Sequence, residues 1–332
     1  MDKAMTTPVI TVLLPVYNGA AEVVRAVDTV LNQTFGDFEL LIINDGSRDD
    51  SAEVLDGMCD PRIRVVHQAN AGLAATLNRG IALAQGRYIV RQDQDDWCRP
   101  SRLEKQLAYM EAHPDCGLLG TWAEIWVGDT PSERVHDHPV THGLLCFDLL
   151  FNNPFVHSSV MLRKDVLQAV GGYSTDPARQ PPEDYELWSR MARQCTVANL
   201  PERLLVYREM PQSMSRTGDN PFQDKLVTLC AENLAFANRL RVPNAACIDA
   251  AAFTHSALHR LSPRPSMRRM LQVVQGAGER IAADSGEPEV LRKTEERIAI
   301  LRYQFMLRQT HAHWVRPLLR PLRNLFNKFR SR

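Results

Sequence analysis

The stretch Gly86-Arg87-Tyr88-Ile89-Val90-Arg91-Gln92-Asp93-Gln94-Asp95-Asp96 decides how the rest of the chain is read. Tyr88-Ile89-Val90 is apolar on consecutive positions, as a strand covered on both faces must be. It stops at three carboxylates within four residues. Like charges held that close repel, and at the end of a buried strand they cannot all be well solvated. A divalent cation relieves the repulsion, and magnesium or manganese suits one or two carboxylates plus phosphate oxygens and water. Isolated, an Asp-x-Asp is more often a solvated acidic loop; its position after a buried strand favours a site.

Working outward, Val9 to Val16 (VITVLLPV) and Phe38 to Asn44 (FELLIIN) are further buried runs, with Arg62 to His67 a third strand. Between them, Glu22 to Asn32 carries Val23, Ala26, Val27, Val30 and Leu31 at helical spacing, Ser51 is placed to cap a helix, and Leu73 to Ala84 predicts another. Strands alternating with helices on short loops imply an α/β fold with a mainly parallel sheet and right-handed crossovers. Such sheets bind ligands at the carboxyl ends of their strands, where Asp45 and the acids at 93–96 fall. Asp45 beside Gly46 can accept from a base N–H while backbone approaches closely. Beyond Trp97, helices are expected over 102–112, 164–170 and 184–194, strands over 117–127 and 158–162, and a polar loop over 129–143. In Pro182-Glu183-Asp184-Tyr185, the acids are either helix-start charges or a general base that deprotonates an acceptor hydroxyl. From about residue 220 helical spacing dominates.

The chain has 332 residues, 44% of them apolar and 23% charged, with a formal net charge of +0. That is ordinary for a globular protein, and the total demands no nucleic-acid partner. The neutrality hides an asymmetry: residues 1–219 hold 20 basic and 30 acidic side chains, residues 220–332 hold 19 and 9. Seven scattered cysteines without a C-x-x-C pair argue for a reducing, cytoplasmic compartment. Neither a signal peptide nor an apolar run long enough to span a bilayer is read. His136, His138, His142 and Cys146 lack closed zinc spacing. No G-x-G-x-x-G follows the first strand, which disfavours a nicotinamide dehydrogenase, and the glycine- and basic-rich loop of a nucleotidyltransferase is missing.

Ile10-Thr11-Val12-Leu13-Leu14-Pro15-Val16-Tyr17-Asn18, Leu41-Ile42-Ile43-Asn44-Asp45-Gly46-Ser47, Asn70-Ala71-Gly72-Leu73-Ala74 and Gly86 to Asp96 follow one another in an order that resembles the family 2 glycosyltransferases of the GT-A fold. His157-Ser158-Ser159, Gly171-Gly172-Tyr173, Glu183 to Trp188 and Tyr207-Arg208 continue the resemblance, which covers about 8–215. It implies a catalytic domain over 1–215, with a nucleotide-binding half at about 8–100 and an acceptor half at about 101–215, and leaves 216–332 as a helical extension. It further implies an inverting transferase that moves a sugar from a nucleotide-diphosphate sugar, a UDP-sugar, to a glycan or lipid-linked glycan hydroxyl in cell-surface polysaccharide synthesis. Pro15, Tyr17 and Asn18 would line the nucleotide, Asp45 would hold its base, and Asp93 and Asp96 would flank the metal ligand Asp95, which takes Mn2+ or Mg2+. Asp184 resembles the catalytic base and Glu183 a residue shaping the acceptor site; Gly171 and Gly172 resemble a flexible loop. Many relatives carry two acids before Gly-Ser, where this chain has Asn44 then Asp45. Arg91 has two candidate partners, a diphosphate or Asp93. The alternative function is a nucleotide- or glycan-binding relative without catalysis.

Trp314 to Arg332 has six Arg/Lys and no acid, interleaved with apolar side chains. Such an end lies on an anionic leaflet or packs on its own domain. The first reading would put the protein at the inner face of the cytoplasmic membrane. Membrane, acceptor and a second copy of the chain, as in a homo-oligomer, all stay open as partners of the helical third.

Overall fold

The computed structural model describes residues 7–209 and 222–309. These divide into two compact units. The first takes in the described residues up to Thr141 and from Asn153 to 209, the second His142–Asn152 and the described residues from 222 onward. The basic amphipathic end at 314–332 and the domain boundary at 215/216 lie outside the described residues.

In chain order the elements are β1 (Ile10–Val16), α1 (Val23–Leu31), β2 (Phe38–Asp45), α2 (Ser51–Asp56), β3 (Ile63–Gln68), α3 (Leu73–Leu83), β4 (Tyr88–Arg91), β5 (Trp97–Cys98), α4 (Arg102–Ala112), β6 (Cys116–Val127) and β7 (Thr130–His136). They continue with α5 (His142–Asp148), β8 (Met161–Arg163), α6 (Lys164–Ala169), α7 (Glu183–Met191), β9 (Thr196–Glu209), α8 (Gln223–Ala237), α9 (Ala245–Thr254), α10 (Met267–Ser285) and α11 (Glu289–Gln309).

The first unit is built on one nine-stranded sheet in the order β3-β2-β1-β4-β8-β6-β9-β5, with β7 paired to β6. The first four strands run parallel, as their unbroken apolar runs require: every residue of β1 and β2 is buried. Beyond β4 the pairing turns antiparallel through β8 to β6, and β6 and β9 then run parallel. Helix α1 buries Val23, Ala26, Val27 and Val30, the stripe its spacing predicts, against this sheet.

The chain leaves β1 toward β2 and β3 on one side and returns to its other side as β4. This reversal makes the carboxyl ends of β1 and β4 a switch point, the place where sheets of this kind bind ligands. Pro15 sits there. The Leu13 carbonyl accepts from Gln92 N (3.1 Å), so the polar groups of alternate residues face β4. Two residues on, the missing N–H of Pro15 faces the same side, past the last β1–β4 pair at Leu13↔Arg91, where a proline removes no ladder bond.

Three local expectations are corrected. The stretch 129–143, expected as a polar loop, contains β7, a short edge strand held by β6. The 14-residue β9 is absent from the sequence reading because charged Glu202 and Arg203 interrupt its apolar pattern. Ser51 begins α2 but caps nothing; its hydroxyl instead accepts from Gly19 N (2.9 Å) and donates to Asp49 (2.5 Å). The second unit packs α5 and α8 to α11 around a core of its own, in which Leu234, Cys247, Ala250, Met270, Val274 and Leu301 are buried.

Gly86 shows how tightly the entry to β4 is built. A Cβ there would lie 2.4 Å from Thr11 N and 2.6 Å from the Ile10 carbonyl carbon, both backbone atoms. Gly86→Ala is expected to lower unfolding free energy by about 1–3 kcal/mol, read from urea midpoints. An unchanged midpoint would mean that β1 and β4 separate at no cost.

Candidate active site

The turn after β1 is held open by side chains from its neighbours. Tyr17 N donates to Gln94 Oε1 (2.9 Å) while Gln94 Nε2 donates to Tyr17 O (3.2 Å). Asn18, at φ 51°, donates its backbone N–H to Ser47 Oγ (3.0 Å) and accepts from Arg48 N through its side chain (2.8 Å). The Pro15-Tyr17-Asn18 lip is thereby tied to the loops that follow β2 and β4. Tyr17 remains 44% exposed.

Asp45 ends β2. Its Oδ1 accepts from Gln68 Nε2 (2.7 Å) and Ala71 N (2.8 Å), and its Oδ2 from Gly72 N (3.0 Å). Burial pushes its pKa up, but the donors Gln68, Ala71, Thr76 and Gly72 together outweigh burial and hold it below the usual aspartate value. The carboxylate is therefore charged. Gly72 reaches it at φ +85°, a conformation suited to glycine. Asn44 pairs its amide with His67 Nδ1 (2.9 Å) and accepts from Ser47 N (3.1 Å), which shapes the turn without a second charge.

The three acids after β4 have separate fates. Asp93 forms an ion pair with buried Arg91. Asp95 is half-buried, and burial together with the charge of Asp93 pushes its pKa up to about 6, against the pull of Arg91 and Arg208. Asp96 is 1% exposed and accepts from the Ser158 hydroxyl and from Arg208 N (2.8 Å). Its carboxylate anchors the loop to β9 and to the segment before β8. Among the described residues no group of three or more His, Cys, Asp or Glu is arranged to hold a metal ion.

Glu183 and Asp184 open α7. Asp184 accepts from Asn153 Nδ2 (2.7 Å) and from Tyr185 N (2.7 Å). Burial, reinforced by adjacent Glu183, pushes its pKa up to about 7 despite those donors and Arg91. Glu183, 8% exposed, is raised by burial too. Behind them Glu186 accepts from Arg179 (3.1 Å) and Arg190 (2.6 Å), and Arg190 also donates to Gly172 O (2.6 Å), binding the Gly171-Gly172 turn to α7. Asn78 clamps Tyr173 by N and O, both at 2.8 Å, and the Tyr173 hydroxyl lies 2.9 Å from His157 Nε2. Burial and then Arg91 drive the His157 pKa well below the usual value, so it is neutral.

Arg91 draws these parts into one site. It is 2% exposed, and its charge acts on Asp93, Asp95 and Asp96 on one side and on Glu183, Asp184, His157 and Tyr173 on the other. Its Nε has no hydrogen-bond partner among the described residues.

A family model for glycosyl transferase family 2 matches residues 11–171. The amylovoran biosynthesis glycosyltransferase AmsE of Erwinia amylovora is 32% identical over 203 residues, covering 59% of this chain and 75% of that protein. The O-antigen biosynthesis glycosyltransferase WbnJ of Escherichia coli is 32% identical over 207 residues, covering 60% and 79%. The chain belongs to glycosyl transferase family 2. The structure of S. aureus TarS 1–349 in complex with UDP-GlcNAc superposes with a TM-score of 0.60 at 15% identity, over 92% of this chain and 93% of that one, a likeness of fold.

Several groups that build this family 2 site went unread in the sequence. Gln94 looked like a spacer between acids, and Gln92 like part of the acidic run. Yet Gln92, with Arg102 and Gln106, holds the loop from beneath: Arg102 donates to Gln92 Oε1 and Arg91 O, both at 3.0 Å, and Gln106 to Leu119 O and Ser159 O. Asn153 carried no motif. Arg208 had one but no role; it pairs with Glu22 and Asp129 and stacks on Trp97 at 4.5 Å. A polar side chain on the apolar stripe of a helix, such as Gln106 in line with Leu103 and Met110 on α4, was the available signal.

A base must be ionised to accept a proton, so activity that depends on Asp184 rises as pH passes upward through about 7 and falls below it. Asn153→Ala removes a donor that favours the ionised form and is expected to move this acid limb up by about one pH unit in a kcat/KM profile. A limb that stays in place would assign it to another group.

Proposed function

We propose that this glycosyltransferase moves a sugar from a nucleotide-diphosphate sugar, a UDP-sugar, to a hydroxyl of a glycan or lipid-linked glycan in cell-surface polysaccharide synthesis, with inversion at the anomeric carbon. The observation that carries the reading is the gathering around buried Arg91 of two acidic segments, the acids at 93–96 after β4 and Glu183 with Asp184 at the start of α7. Asp93 is paired to Arg91, and Asp184 is held by Asn153 and raised toward neutrality by burial. Perturbed groups gathered together are what acid–base chemistry near neutrality needs. The names of AmsE and WbnJ support a polysaccharide product, and the UDP-GlcNAc bound by TarS supports a UDP-linked donor.

In this reading the charged Asp45 carboxylate takes an N–H of the base, and Pro15, Tyr17 and Asn18 line the nucleotide. A divalent cation, manganese or magnesium, fits Asp95. That carboxylate is raised by burial and by Asp93, and both effects lessen beside a positive ion. One protein carboxylate suffices when diphosphate oxygens and water complete the shell. When bound, such a cation supplies Lewis-acid neutralisation of the diphosphate leaving group. Asp184 removes the proton of the acceptor hydroxyl, whose oxygen attacks the anomeric carbon from the face opposite the diphosphate. The bond from that carbon to the diphosphate oxygen breaks, and the nucleotide diphosphate departs with the electron pair. Asn153 keeps Asp184 aimed, and Glu183 shapes the acceptor side. A lipid-linked acceptor would bring the enzyme to the inner face of the cytoplasmic membrane; among the described residues no helix is long and apolar enough to cross one.

A panel of UDP-, GDP-, dTDP- and CMP-sugars with manganese, read by nucleotide release with and without glycan acceptors, tests this. Release from one donor is expected, reduced about 100-fold or more in Asp184→Asn and abolished by chelator or Asp95→Ala. Absence of both release and calorimetric binding for every donor would sink the donor site. Binding and release that ignore Asp184→Asn would remove its role as base.

A further inference from the structure

The helical unit carries a cleft of about 430 Å³ that no part of the proposed reaction uses. Its walls include Asn238, Leu240, Asp249, Arg264, Arg269 and Arg280. Arg264 and Arg269 are exposed, and none of the three arginines forms an ion pair among the described residues. Arg280 is pre-positioned, donating through one nitrogen to Asn238 Oδ1 (2.9 Å) and Gly276 O (2.9 Å). Residues 238–280 hold seven arginines and only two acids, Asp249 and Glu279. Asp249 is 2% exposed, and its two oxygens accept from Ser262 N (2.7 Å) and Ser262 Oγ (2.8 Å). Glu279 accepts from Gln275 (2.8 Å). Three guanidinium groups around one concavity, unanswered by carboxylates, make a seat for an anion with several acceptor oxygens, and phosphate is the group they match best.

The rim narrows the source of that phosphate. Helix α8 ends with Leu240 N bonded to Ala235 O (2.9 Å) and Arg239 N to Phe236 O (2.8 Å), with Arg239 at φ 56° in the left-handed position that glycine usually fills. The chain then runs Arg239-Leu240-Arg241-Val242, with Leu240 39% and Val242 71% exposed between exposed arginines. Water and a free phosphate ion offer those apolar side chains nothing. A lipid surface satisfies both kinds of residue, with phosphate at the headgroup level and acyl chains beside it. We propose that this cleft seats the phosphate of an anionic membrane lipid, with Leu240 and Val242 entering the headgroup boundary.

The test is co-sedimentation of the full chain with phosphatidylcholine vesicles, with and without about one-third phosphatidylglycerol, alongside calorimetry with inorganic pyrophosphate. Two double variants are compared, Arg264→Gln with Arg269→Gln, and Leu240→Ser with Val242→Ser. All four positions are exposed, and an unchanged thermal midpoint confirms folding. Each double variant is expected to bind the anionic vesicles about tenfold more weakly than wild type, although the basic stretch 314–332 is intact in both. Wild-type partition in both variants would overturn the proposal. So would a loss confined to the arginine pair, or lost pyrophosphate binding with unchanged vesicle partition, either of which would make the ligand a soluble phosphate.

Discussion

The catalytic unit depends on one buried cation. A guanidinium removed from water costs several kcal/mol unless charges and hydrogen bonds answer it, and Arg91 is 2% exposed. Burial works against its charge, yet Asp93, Tyr173 and Asp96 more than offset that and hold its pKa above the usual value. The dependence is mutual. Asp95, Glu183 and Asp184 each gain from the nearby positive charge, and without it burial and their own repulsion would drive them further toward the neutral acid. Arg91 thus lets two acidic segments lie close together while the Asp184 carboxyl stays at about 7.

A second cation frames the same loop. Arg208 reaches from β9 to Glu22 before α1 and to Asp129 in the β6–β7 turn, while its backbone N–H holds Asp96. Trp97 lies between Arg208 and Arg25, with guanidinium carbons 4.5 and 3.5 Å from its ring centroid. A network so dense in ion pairs and cation–π contacts restricts the loop between β4 and β5. Groups held in such a network keep their mutual geometry, and small displacements of reacting groups are costly.

Much of the parallel part of the sheet was legible in the chain because β1, β2 and β4 are buried on both faces. Ile10–Val16 and Phe38–Asp45 are buried at every position and mostly apolar, and the acids that close such runs stand at strand ends, where parallel sheets bind their ligands. Asp45, Asp93 and Asp95 could be picked out for that reason, whereas Asp184 stood out at a helix start and by resemblance. β7 and β9 were not legible: one lies on an edge, and the other is broken by Glu202 and Arg203, so neither shows a clean period.

The sequence by itself determined the α/β class, the mainly parallel sheet and the candidate acids, since these follow from local patterns of burial and from residue chemistry. It could not say that Asp96 would bond Ser158 and Arg208, that Gln94 would latch Tyr17, or that Asn153 would hold Asp184 across 31 residues. Nor could it choose between the partners of Arg91. Those outcomes depend on which distant side chains share a low-dielectric space, and hydrogen bonds and charges are weighed there by distance and desolvation rather than by position in the chain.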